Sequence, residues 1–429
     1  MSKLDEAAIR GKKARWARAF PELGAGPVDM TPCTDPAYFE LEREKIFMKT
    51  WWKVARVEEL PRPGDYKVKR IDFARTSAII VRGRDNKIRA FYNVCCHRGN
   101  TVITETPGFR EFTGRAKGGA LACRFHGWVY DSQGKLIHVP EEEHILCFQK
   151  EDHGLTPIAC EEWNGFVFIN LDPEPETSLE EFLGDYGDHF SNYPYEGTPV
   201  CFQYYTYLDA NWKPCLDAFA EAYHVHTIHA GSFPNVFTSL VENAKIFGPH
   251  RTCSVMLADP GELTPSGAVA NRIGVFNTLN KRGQTRLPPT LNPDRRENWC
   301  FELSVMFPSF LLHVLEGSWF THHFWPIAVD KTLWEGHLYL PAATTHSERW
   351  ALEQWQLLQR NAWLEDTATM EDTSRALMSG GKKEIYLHDE EVLIRHGYKV
   401  VDDWVHDRAG MGAGMAKETP RAEPVGAES

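Results

Sequence analysis

From Lys53 to about Asn170 the apolar residues come in short runs, among them TSAIIV (76–81), KIRAFYNV (87–94) and GFVFINL (165–171), with Gly, Pro and Asp between them. Runs of that length, rich in β-branched and aromatic residues and bounded by turn formers, predict strands. The first 45 residues differ. Their last part, YFELEREKIFMKTWW, repeats apolar positions at helical spacing and predicts a helical arm. LDPEPET at 171–177 holds two prolines and three acids and reads as a linker. Beyond it come a strand-like run at Val200–Leu208, a helical segment around Asn211–Ile228, and strand-like runs near 301–315, 319–329 and 333–340. Thr345 and Glu348 then stand at capping-box spacing, and Trp350, Leu352, Trp355, Leu358, Ala362 and Trp363 give a long helix its apolar face. Strands followed by a long helix predict an α+β domain whose antiparallel sheet wraps against that helix. From about Arg408 the periodicity is lost, which reads as a mobile tail.

The 429 residues are 42% hydrophobic and 25% charged, with a formal net charge of −12. That profile suits two or three soluble domains and argues against general affinity for nucleic acid. The one basic stretch, RGKKARWAR at 10–18, reads as a solvated helix face. No apolar run reaches the ~18 residues of a bilayer span, and the N-terminus lacks a secretory leader, so a cytoplasmic protein is expected. Ten cysteines are too sparse for a disulfide scaffold. Cys33, Cys147, Cys160, Cys201, Cys215, Cys253 and Cys300 are expected as small buried residues, and Cys96 as a packing residue.

Cys95 and Cys123 belong to a different pattern. Cys95-x-His97 and Cys123-x-x-His126 are separated by 25 residues, and two thiolates with two imidazoles on two tight loops form a metal-ligand set. Zinc and iron–sulfur clusters both accept it. Gly99 and Gly127 let each loop's backbone come close.

A second cluster lies in NWKPCLDAFAEAYHVHTIHAG, where His224, His226 and His229 follow Asp217 and Glu221. Neutral imidazoles plus a carboxylate, with positions left open, is the ligand set of non-haem Fe(II) oxygenases. Geometry leaves the pair open. His224 and His229 are about 140° apart on an ideal helix, whereas His226 and His229 lie nearly on one face, so a straight helix favours the latter. PSFLLHVLEGSWFTHHFWP at 308–326 suits either a hydrophobic, aromatic or polycyclic substrate or sheet core. Alternation sends His322 and His323 to opposite faces, so at most one faces a pocket, and His313 is a further candidate.

CCHRG, CRFHGW, NWK followed by Glu-x-x-His-x4-His, and WLEDTATMEDTSRAL stand in the order found in Rieske non-haem iron aromatic ring-hydroxylating oxygenases. From about residue 45 to 400 the chain resembles their large (α) subunit. The resemblance implies an α+β chain: an all-β Rieske [2Fe–2S] domain (46–172) after the arm (1–45), then a helix-grip (START/Bet v 1-like) catalytic domain (178–407) with antiparallel sheet and long C-terminal helix, and the tail (408–429). It implies that Cys95 and Cys123 hold one iron of the cluster and His97 and His126 the other. It selects His224 and His229 for a mononuclear Fe(II), with a π-type bulge or helix end between them, and leaves His226 as a pocket-lining residue. Asp366 is the implied third ligand, with Glu365 its first competitor and Glu371 and Asp372 behind.

By the same resemblance Glu221 bridges His224 to His126 of a neighbouring subunit, which requires a ring: a homotrimer, or α3β3 with a small β subunit. Electrons from NAD(P)H reach the chain through a reductase, directly or by a ferredoxin, and with O2 serve mono- or dioxygenation or O- or N-demethylation. Two departures stand out. The gap between the ligand loops is longer than the family's, with the excess at Phe109–Gly119 reading as an elaborated loop, and Asp217-Ala218 replaces Glu-Asn. A plain Rieske electron carrier and a zinc-stabilised non-enzymatic protein are the rival classes.

Overall fold

The computed structural model describes residues 9–105, 110–233, 237–258 and 287–408. The expected tail beyond Arg408 and Phe109 of the expected loop lie outside these. The chain forms two compact units, residues 43–182 and residues 1–42 with 183–429. Among the described residues no helix is long and apolar enough to cross a membrane.

Unit 43–182 is built on a seven-stranded antiparallel sheet, ordered Trp51–Arg56, Phe166–Asn170, Pro157–Trp163, Ile88–Tyr92, Thr76–Arg82, Asp65–Ile71, Glu111–Arg115. Phe166–Asn170 is buried at every position, as a continuous apolar run requires. A three-stranded sheet of Leu121–Ala122, Val129–Tyr130 and Leu136–His138 carries the second ligand loop. Part of the expected elaborated loop is regular structure, since Glu111–Arg115 pairs with Asp65–Lys69 at the sheet edge. Lys67 and Lys69, both buried, reach Glu111 at 3.1 and 2.6 Å, which explains the charged residues on that edge.

The other unit holds a second seven-stranded antiparallel sheet, ordered Val200–Leu208, Lys331–Leu340, Trp319–Ala328, Phe310–Leu315, Trp299–Met306, His250–Leu257, Phe237–Phe247. The run expected at 301–315 is two strands joined by a tight turn at 307–309. The helix His346–Met378 runs 33 residues, with Thr345 Oγ1 accepting the Glu348 N–H at 3.1 Å while Glu348 accepts from the Thr344 N–H. Its buried stripe is Ala351, Trp355, Leu358, Ala362, Trp363, Asp366 and Met370. Trp350 is 70% exposed and does not belong to it. Trp363 contacts Tyr204, Phe320, His322 and Trp334 on the sheet. Gly336 permits this, because a Cβ there would stand 3.1 Å from the rings of both Trp334 and Trp363.

The segment expected as one helix from Asn211 to Ile228 is two short ones, Trp212–Asp217 and Val225–Ile228. Asn211 caps the first, its Oδ1 accepting the Lys213 N–H at 3.1 Å, and its Nδ2 donates to the Val329 carbonyl at 2.7 Å. Trp212 Nε1 and Lys213 Nζ both reach the fully buried Glu42 carboxylate, at 3.0 and 2.5 Å. A buried cation and anion thus satisfy each other and fix the start of the ligand-bearing segment.

Candidate metal centres

The two Cys/His loops share one backbone pattern. The Cys95 N–H donates to the Asn100 carbonyl and the Cys123 N–H to that of Trp128, each at 2.8 Å. Gly99 and Gly127 N–H close each loop on its own cysteine carbonyl at 3.0 and 2.9 Å, and both glycines have φ of +73°, where a side chain is strained. Cys95 and Cys123 are buried in the hydrophobic core, whereas His97 and His126 are exposed. The two imidazoles meet edge to face with ring centroids 4.5 Å apart, and Trp128 stacks on His97 at 4.7 Å.

Spacing gave no sign of Tyr130. Its hydroxyl stands 3.0 Å from Cys95 Sγ and 3.2 Å from Cys96 Sγ and accepts the Cys96 N–H at 3.1 Å. Burial pushes the Cys95 thiol up in pKa, and Tyr130 acts against it. Cys96 is exposed rather than packed, and so are Cys147 and Cys201, whereas Cys33, Cys215 and Cys253 are buried as expected.

The short helix Val225–Ile228 has His224 as N-cap and His229 as C-cap, so the two residues flank one helical turn, with no π-type bulge or helix end between them, and both rings turn to one point. Their Nε2 atoms are 3.3 Å apart, and Asp366 Oδ1 lies 3.5 Å from His224 Nε2 and 3.2 Å from His229 Nε2. This is the one His/Cys/Asp/Glu trio with mutually close ligand atoms among the described residues. His226 is exposed and outside it. Asp366 Oδ1 is buried and accepts no hydrogen bond, despite the nearby ring nitrogens, so its lone pairs and theirs converge on one point. Two neutral imidazoles and a carboxylate fit a divalent iron there.

Both outer ring nitrogens are held. His224 Nδ1 bonds Glu221 Oε1, and Glu221 Oε2 accepts the N–H groups of Tyr223 and His224. His229 Nδ1 bonds Glu365 Oε2 at 2.8 Å, and Ser232 Oγ donates to Glu365 Oε1 at 2.8 Å. Burial alone would lower both imidazoles, but Glu221 and Asp366 around His224, and Asp366 and Glu365 around His229, raise them. Burial raises Asp366, against the pull of His229 and His224.

A sequence profile described as the catalytic domain of the ring hydroxylating alpha subunit matches residues 185–407, just over half of the chain, and one for the Rieske [2Fe–2S] domain matches residues 50–149. The chain belongs to the Rieske ring-hydroxylating oxygenase α-subunit family. It is 34% identical over 200 residues, 46% of its length and 51% of the other's, to the carnitine monooxygenase oxygenase subunit of Acinetobacter pittii (strain PHEA-2). To the biphenyl 2,3-dioxygenase subunit alpha of Rhodococcus jostii (strain RHA1) it is 32% identical over 233 residues, 52% of this chain and 48% of that one. The chain spans about half the length of the curated relatives it matches. The fold of the quaternary ammonium Rieske monooxygenase CntA, solved with an inhibitor, is similar with a TM-score of 0.70 over 89% of this chain and 96% of that one, at 22% identity.

In this α subunit, ring contacts lead from the trio across the sheet: His229 to Phe233, Phe237, Phe301 and His313, then Phe320 and Trp363, which precedes Asp366 by one helical turn. His322 is on this face and His323 on the other, where it meets Phe310 and Trp325.

Proposed function

We propose that this chain is the oxygenase component of a Rieske system, in which His224, His229 and Asp366 hold a mononuclear Fe(II) and Cys95, His97, Cys123 and His126 hold the [2Fe–2S] cluster. Electrons originate in NAD(P)H and arrive through a reductase, directly or by a ferredoxin. When bound, the cluster supplies one-electron storage and the iron supplies O2 activation. The convergence of two Nε2 atoms and one carboxylate oxygen within 3.5 Å carries this reading.

The chain's own residues supply orientation. Glu221 and Glu365 fix the tautomers of His224 and His229, so that each Nε2 presents its lone pair inward. Burial of Asp366 keeps water from competing for its oxygen. The exposed His126 supports the electron route of the family, with Glu221, bonded to His224 Nδ1, joining His224 to His126 of a neighbouring copy in a trimer or α3β3 ring. Rings from Phe233 to Trp363 favour a hydrophobic or alkylammonium substrate body, since aromatic faces pack against either. The relatives named above act on carnitine and on biphenyl, which fits both.

A single turnover tests the reading. Holoprotein with its cluster chemically reduced is exposed to O2 with carnitine, γ-butyrobetaine or biphenyl. We expect a hydroxylated or dealkylated product from at least one, with cluster oxidation accelerated by that compound. No product and substrate-independent oxidation across a broader panel of both substrate classes would leave an electron carrier.

A further inference from the structure

Two imidazoles on the aromatic wall have no part in holding the candidate iron. His313 and His322 are 2% and 0% exposed, with ring centroids 5.5 Å apart. Strand register explains the meeting. His313 pairs with Phe320, two residues before His322, so all three side chains share one sheet face.

Their protonation follows from their neighbours. Trp334 Nε1 donates to His322 Nδ1 at 3.0 Å, and an indole N–H only donates, so Nδ1 is bare and the neutral ring carries its proton on Nε2. Burial holds His322 well below its ordinary pKa and pushes His313 down to about 3, so both rings are neutral. His322 Nε2 has no hydrogen-bond partner among the described residues, and neither nitrogen of His313 has one. The surroundings are apolar: Phe219 stacks on His322 at 3.9 Å, while Phe301 and Phe320 flank His313. Buried polar atoms left unpaired destabilise a fold, so packing alone does not account for two such rings.

We propose that His313 and His322 recognise the substrate, which carries an oxygen acceptor that their N–H groups hold while its apolar or alkylammonium body lies along the aromatic wall. This rests on the proposed function only in taking the wall as that site's substrate pocket. A bare hydrocarbon would leave both donors unpaired. A betaine carboxylate or a ketone would pair them, and the inference therefore favours oxygen-bearing substrates.

The test uses anaerobic holoprotein and two matched pairs of probes, indane against 1-indanone and butyltrimethylammonium against γ-butyrobetaine. Dissociation constants come from the fluorescence of the tryptophans in the wall. Wild type is expected to prefer the oxygen-bearing member of at least one pair by about tenfold, the size of one good hydrogen bond. His313→Phe and His322→Phe should abolish that preference, and His322→Gln, which keeps an N–H donor, should restore part of it.

Ligand-free His313→Phe should also melt no lower than wild type, because it replaces an unpaired polar ring with an apolar one. A wild type that prefers the oxygen-bearing member of neither pair overturns the inference, as does a His313→Phe melting point lowered by several degrees. Iron content of the same preparations separates the two claims. A missing mononuclear iron with the preference intact sinks the proposed function alone, and full iron without the preference sinks this inference alone.

Discussion

Glu365 Oε2 lies 2.8 Å from His229 Nδ1, while Asp366, the next residue, brings Oδ1 to 3.2 Å from the same ring's Nε2. Two successive acids on one helix thus address opposite nitrogens of a single imidazole. Sequence could only rank them as rivals for one role, since both are acids about 100° apart on a helix whose facing residues were unknown. Glu365→Gln should weaken iron binding roughly 10- to 100-fold, the usual cost of losing such a support, while Asp366→Ala should abolish it. Equilibrium dialysis of Fe(II) under nitrogen measures both. Equal losses from the two variants would contradict the assignment.

The Tyr130 hydroxyl, 3.0 Å from Cys95 Sγ, is placed to donate to a cluster sulfur. A hydrogen bond there stabilises the more negative, reduced cluster. Tyr130→Phe should lower the reduction potential with the EPR line shape retained, and a redox titration followed by EPR reads the shift. Cys96→Ala should shift it less, because the Cys96 N–H still fixes the hydroxyl.

Glu42 holds Lys213 and Trp212 with all three side chains buried. Glu42→Ala would leave an unpaired ammonium inside and should cost about 3–5 kcal/mol in urea unfolding. Replacing Lys213 by Met as well should recover part of that loss.

Asp217 lines a small cleft together with Trp212, Arg251, Phe307 and Tyr398, its carboxyl turned inward to the Tyr398 hydroxyl. Burial pushes its carboxyl up to about 7, against the Tyr398 hydroxyl that donates to it at 2.9 Å. A folded-state pKa above the unfolded one means that the folded chain binds the proton more tightly. The stabilisation is full below about pH 4 and is lost as pH rises towards 7. Asp217→Asn should therefore match wild type near pH 4 and melt higher at pH 8. Parallel melting curves at all pH values would contradict this.

The β unit and both ligand loops were legible because their signals are local: strand runs broken by turn formers, and ligand spacings closed by glycines. The hairpin Phe237–Leu257 was not. Register shifts between Phe237 and Val241 and between Glu242 and Lys245 break the alternation that marks a strand. Helical spacing favoured His226 with His229 only for a straight helix. The break before Val225 brings His224 round instead and leaves His226 in solvent. Tyr130, Ser232, the anchoring of Asn211 to Val329 and the role of Glu42 depend on contacts far along the chain, which no spacing records.

Two iron sites of different kinds in one chain are told apart by iron content and EPR on anaerobically purified protein, wild type beside Asp366→Ala. Wild type should carry about three irons per chain and the variant about two, with the same Rieske-type signal from both after reduction. A variant that keeps all three irons, or a zinc-loaded wild type with no signal on reduction, would contradict this.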